Sequence, residues 1–254
     1  LRAGSGIVHV INGFLTPLPE EIPTPIPSTE LSALAQAGRE QVRAHVAESG
    51  RALEAGELDL ALREAQAALK ADRDSADARG MLALVEMMRG NPEEAGRHYA
   101  EAARLAPDDG GMQNNYGAWL CRQGRAAEAM EYFERAIAAP GYQVPADALA
   151  NAGACAEAAG RGDRTEQYLR AALRLDPENS VALSAMAEYQ YRSGRYLEAR
   201  AFSQRRLAAA PPSAEVLLLA SQIEEKMGDK AAAERYRQRL GREFPHALQQ
   251  NPGG

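Results

Sequence analysis

The chain has 254 residues, a formal net charge of −6, and a composition that is 45% hydrophobic but only 6% aromatic. That length allows one large domain or two small ones with an ample core, and the alanine-rich, aromatic-poor balance suits close-packed helices better than strands, so the expected class is all-α. The acidic balance argues against a nucleic-acid partner, because phosphate binding needs a basic stripe. Two cysteines outside any CxxC pair argue against a disulfide framework or a cysteine metal site.

Residues 1–28 read as a Pro-rich N-terminal arm or linker. Five prolines between Pro17 and Pro27 forbid a helix and favour polyproline II, and Leu18, Ile22 and Ile26 are regularly placed to dock on a groove, a mobile tail being the alternative. The apolar run Ile7–Ile11 is too short for a signal-peptide core, and no stretch approaches the roughly 20 apolar residues of a membrane helix. The chain opens on Leu1 and not on methionine, so targeting information is expected upstream of it. Ser28 or Thr29 can cap a helix whose apolar stripe includes Leu31, Leu34, Val42 and Val46.

From there a glycine followed five residues later by a small residue recurs: Gly56 with Ala61, Gly90 with Ala95, Gly124 with Ala129, Gly160 with Thr165, Gly194 with Ala199 and Gly228 with Ala233. The glycines are spaced by 34, 34, 36, 34 and 34 residues. This period predicts a tetratricopeptide-repeat solenoid of about six helix-turn-helix repeats wound into a right-handed superhelix, each unit burying its apolar face only against its neighbours. The units fall at 42–75, 76–109, 110–145, 146–179, 180–213 and 214–247, within a solenoid of 29–247 followed by a tail of 248–254. Helix A fills the first half of each unit and helix B the second. Positions 8 and 20 hold small residues so that the two backbones approach closely, and prolines close four of the units at Pro107, Pro177, Pro211 and Pro245. Repeat three ends in the longer "APGYQVPA", which gives the spacing of 36.

No chemistry-bearing constellation accompanies the repeat. The four histidines are scattered, the glycines follow the period and not a phosphate-cradling rule, and adjacent acidic pairs such as Glu93-Glu94 point apart on a helix. No catalytic residue, cofactor or metal is expected. Cys121 and Cys155 sit at positions 12 and 10 of successive helix A segments, faces that differ, so two small thiols are expected, and a bridge only with favourable rotamers.

Helix A lines the concave face of such a solenoid, so a ligand meets positions 2, 5, 6, 9, 12 and 13. In repeat two these include Leu84, Met87 and Met88, an adaptable apolar wall, unless the methionines pack against the next helix pair. Further along the groove turns polar, with Asn114 and Asn115 in repeat three, Asn151 in repeat four, and Arg122, Arg192 and Lys226 all at position 13. An asparagine amide donates and accepts at once, which suits a sequence-tolerant grip on extended peptide; capping a frayed helix start is the alternative. Leu84, Met87, Met88, Asn114, Asn115, Arg122, Asn151 and Arg192 are therefore the candidate partner-binding residues. Trp119 is expected to pack within the solenoid.

The runs "NNYGAWLCRQGRAAEAMEYFERAI", "ALANAGACAEAAGRGDRTEQYLRAALRLDP" and "GREQVRAHVAESGRALEAGELDLALREAQAALKAD" resemble the type IV pilus biogenesis/stability family called PilW or PilF, across about residues 38–247. The most specific part is Asn-Asn-Tyr-Gly in repeat three with the offset before repeat four. The resemblance implies a non-enzymatic, six-repeat pilotin on the periplasmic face of the outer membrane, which helps the pilus secretin to reach that membrane and assemble, holding a secretin segment in its groove. It implies membrane contact only through a lipid anchor, and residues 1–37 hold no cysteine to acylate. A cytosolic adaptor or co-chaperone that binds an unrelated peptide is the alternative, and an enzyme would need a catalytic domain upstream of Leu1.

Overall fold

The computed structural model describes residues 8–11, 14–17 and 28–245, and the chain divides into two units, 1–40 and 41–254. The first unit carries an antiparallel hairpin, β1 (Val8–Ile11) and β2 (Phe14–Pro17), with Val8 opposite Pro17 and Ile11 opposite Phe14. The reading of an arm does not anticipate it, although Asn12-Gly13 between two apolar runs is the dipeptide that most favours a two-residue hairpin connection. Leu18, Ile22 and Ile26 lie outside the described residues, as does the tail 248–254.

α1 (Ser28–Glu54) begins in the first unit and ends in the second. It is followed by α2 (Leu58–Ala71), α3 (Ala76–Met88), α4 (Pro92–Leu105), α5 (Gly110–Arg122) and α6 (Ala126–Ala138). The series continues with α7 (Pro145–Ala158), α8 (Gly162–Leu175), α9 (Ser180–Arg192), α10 (Tyr196–Ala209), α11 (Ala214–Lys226) and α12 (Lys230–Glu243). From residue 41 on the described chain is an all-α solenoid, the odd-numbered helices serving as helix A and the even-numbered ones as helix B.

Each helix A stops for the same local reason. Gly56, Gly90, Gly124, Gly160, Gly194 and Gly228 take φ between 69° and 83°, the left-handed region that a side chain disfavours. The next residue's N–H then reaches back across the turn to a carbonyl inside the helix, as in Arg125 N to Leu120 O at 3.0 Å and Asp229 N to Glu224 O at 2.9 Å, so the helix-end carbonyls are paired. Gly124→Ala should cost about 1–2 kcal/mol through that φ alone, because nothing lies within 4 Å of where the new methyl would sit. The urea midpoint reads this, and an unchanged midpoint would contradict the conformational argument.

Helix A starts are fixed by side-chain caps. Ser75, Asp109, Asn179 and Ser213 each accept a hydrogen bond from the N–H three residues on, at 2.9–3.5 Å. α7 differs: Val144 precedes it without a side-chain cap, and Pro145 opens the helix. The longer connection that ends repeat three packs one residue, Tyr142, into the joint here. The Tyr142 ring lies over Gly110, where a Cβ would meet it at 2.5 Å.

The core runs along the small positions. At position 20, Ala61, Ala95, Ala129, Thr165, Ala199 and Ala233 are all completely buried. At position 8 the partner is small in every unit: Ser49 donates its hydroxyl to Ala61 O at 2.7 Å, and a Cβ on Gly117 would sit 2.9 Å from Phe133 and 3.3 Å from the Ala129 carbonyl. On Gly153 it would sit 2.5 Å from Leu169. Fully buried Phe133, Leu120 and Leu169 fill the space these small residues leave.

One sequence expectation is corrected. Cys121 and Cys155 form a disulfide between α5 and α7, with Cα atoms 5.8 Å apart. The two-position difference that argued for separate thiols is what permits the bridge. At about 100° per residue, two positions lie nearly opposite around a helix, so one cysteine faces forward along the stack and the other faces back. Trp119 packs inside as expected: its ring covers Gly96 and its Nε1 donates to Pro92 O at 2.9 Å.

Candidate protein-binding groove

The candidate residues fall on α3, α5, α7 and α9 but differ in what they present. Leu84 and Met88, one turn apart on α3, are exposed at 44% and 61%, the most accessible apolar pair on this stretch. Met87 instead turns inward onto Ala83, Ala95 and Tyr99, and Met81 packs beside Leu82 and Val85. The apolar wall is therefore narrower than the sequence suggested, because only the outer residues of that face clear the neighbouring helix pair.

The asparagines divide in the same way. Asn151 Nδ2 donates to Asn114 Oδ1 at 3.0 Å, which ties α7 to α5 beside the disulfide, and Asn114 is 7% exposed. Asn115 is exposed. The pair forms a rung built within the chain, and the opposite end of each amide, Asn114 Nδ2 and Asn151 Oδ1, stays unbonded to protein among the described residues.

Arg122 and Arg192 are both exposed at the C-terminal ends of their helices, where the carbonyl dipoles favour a cation. Arg192 is engaged with Glu188 at 2.7 Å and approaches Glu157 at 3.8 Å. Burial raises the Glu157 carboxyl above its ordinary range, and Arg192 pulls it partly back.

The sequence reading missed the C-terminal part of this face apart from Arg192 and Lys226. Ser184, Glu188 and Tyr191 of α9 and Glu215, Leu218, Leu219 and Gln222 of α11 line a cleft of about 410 Å³ with Ser203 and Arg206 of α10 at its back. They occupy positions 2, 5, 6, 9 and 12, so the rule applied to repeats two to four finds them in repeats five and six. Hydrogen bonding to the Ser213 side chain lowers the Glu215 carboxyl. Among the described residues no three His, Cys, Asp or Glu side chains group as a metal site, and no helix is long and apolar enough to cross a membrane.

Tetratricopeptide repeat models match residues 47–110, 97–144 and 120–180, and a second such model matches 156–223. The chain belongs to the tetratricopeptide repeat family. Within it, the type IV pilus assembly protein PilF of Pseudomonas aeruginosa is 26% identical over 197 residues, 78% of each chain. The crystal structure of PilW, a widely conserved type IV pilus biogenesis factor, superposes with a TM-score of 0.73 at 26% identity, over 86% of this chain and 99% of that one. The Pseudomonas aeruginosa PilF structure gives 0.69 at 25% identity, over 82% and 94%. This tetratricopeptide repeat protein is thus homologous to PilF and PilW.

Proposed function

We propose that the protein is a non-enzymatic scaffold of type IV pilus biogenesis that holds a segment of the outer-membrane pilus secretin on its helix A face and assists the localisation and assembly of that secretin from the periplasmic side. The observation that carries the proposal is the likeness to PilW along nearly the whole of that protein. The Cys121–Cys155 bridge supports the compartment, because such bonds persist in a periplasm and are rare in a reducing cytosol. It weighs equally against a cytosolic adaptor. On the groove, Leu84 and Met88 offer an exposed apolar anchor, and Asn115, Arg122, Asn151 and Arg192 offer polar contacts to an extended backbone.

Capture of the secretin from bacterial envelope extracts on the immobilised protein tests this. Leu84→Glu combined with Met88→Glu should cut capture at least tenfold, since it sets two carboxylates against an apolar contact, and Asn151→Ala should cut it less. Both side chains of the double variant are solvent-facing, so the melting temperature should hold. Undiminished capture by both variants, or no secretin among the captured proteins, would remove the proposal.

A further inference from the structure

Helix B carries a second regularity. At position 24 it places Ala65, Tyr99, Phe133 and Leu169 in the first four units, and at position 27, one turn on, Ala68, Ala102, Ala136 and Ala172. All eight are at most 3% exposed, and they close the joint between one helix A and the next. Repeat five breaks both positions at once, with Ser203 and Arg206. Ser203 brings only a hydroxymethyl group to the joint. Arg206 is bound to its own chain, donating to Ser184 Oγ at 3.0 Å, Ala210 O at 2.9 Å and Pro211 O at 3.2 Å. The result is the cleft of about 410 Å³ between α9, α10 and α11, opening on the helix A face.

We infer that this cleft receives an uncharged aromatic side chain carried on an extended peptide of the partner, seated where repeats two and three place their own Tyr99 and Phe133 rings. The inference rests on the reading of the helix A face as a protein-binding groove and names the chemistry recognised at its C-terminal end. Ala187, Val216, Leu218 and Leu219 give the cleft apolar walls, and Leu218 is 37% exposed. Its charges balance, two acids against two bases: Glu188 and Arg192 are paired with each other at 2.7 Å, the Arg206 donors are engaged, and Glu215 is hydrogen-bonded to the Ser213 side chain, so a charged side chain would lose its water without meeting a net counter-charge. The Gln222 amide and Tyr191 hydroxyl, half-buried in the cleft lining, have no protein hydrogen-bond partner among the described residues, and an extended backbone presents both donors and acceptors to such groups.

The test uses the purified protein and three blocked pentapeptides that differ only at the centre, Ser-Gly-Phe-Gly-Ser against the same sequence with central Ser or central Glu. Methyl NMR follows Val216, Leu218 and Leu219. The Phe peptide should shift these methyls, and the Ser and Glu peptides should bind at least tenfold more weakly. Ser203→Leu, which restores the packing residue of repeat four, should raise the melting temperature and abolish the shift; Leu218→Glu, at an accessible position, should weaken binding at least tenfold with the fold intact. No shift with the Phe peptide, equal shifts with all three peptides, or binding that survives both variants would overturn the inference. Because no secretin is present, failure here is separate from failure of the capture experiment at Leu84 and Met88.

Discussion

Phe133→Ala should lower stability by about 3–5 kcal/mol, the larger of the two effects expected in this protein. Phe133 is fully buried in the cluster of Leu120, Ala129, Met130, Ala152 and Cys155, and its ring lies against the bare α-carbon of Gly117. Glycine there leaves no side chain to move into the space the ring vacates, so the cavity collapses poorly and the cost approaches the upper end of the range. Position in the array increases the consequence. A solenoid is stabilised by nearest-neighbour interfaces, and repeat three joins the two halves of the stack. The variant should therefore lose two-state behaviour, with helical signal falling in two urea transitions and hydrogen-exchange protection lost first in α5 and α6. A single transition with a loss below about 1 kcal/mol would mean that Tyr116 and Tyr132, which already pack on this cluster, refill the site.

The repeat was legible because its determinants are local and steric. A turn that needs positive φ shows as a glycine, and a close helix approach shows as a small residue, so Gly124 and Ala129 declare their roles without reference to anything distant. Pro107 and Pro177 do the same for the ends of helix B. The site was less legible, because which residue of a helix face reaches solvent depends on its neighbours. Leu84 and Met87 look equivalent in sequence, yet one is exposed and the other packs on Tyr99. Asn114 looks like an open rung and is engaged by Asn151, an amide 37 residues away. The hairpin at β1 and β2 was overshadowed by the prolines that follow it, although Asn12-Gly13 signalled it. The cleft of repeats five and six shows in sequence only when helix B is compared unit by unit, where Arg206 stands against four alanines at position 27 and the polar Ser203 against Ala65, Tyr99, Phe133 and Leu169 at position 24.

Replacing both cysteines, Cys121→Ala with Cys155→Ala, should cost about 4 kcal/mol of stability from the loop-closure entropy that returns to the unfolded chain, given a sequence separation of 34. The folded state should tolerate the change well. Cys155 belongs to a helix whose buried residues are all small, Ala152 and Ala156 beside it among them, so alanine fits there, and the Asn151–Asn114 hydrogen bond still joins the same two helices. The loss should accordingly appear in repeats three and four as faster hydrogen exchange in α5 and α7, while the ends of the solenoid keep their protection. Reductant supplies the control: it should lower the urea midpoint of the native chain toward that of the double-alanine variant and leave the variant itself unmoved. A native chain indifferent to reductant would show that the bridge does not hold these repeats together. If the midpoint does fall, the protein reaches full stability only after oxidation, and the joint that bears the exposed Asn115 and Arg122 is completed in the compartment where the proposed partner assembles.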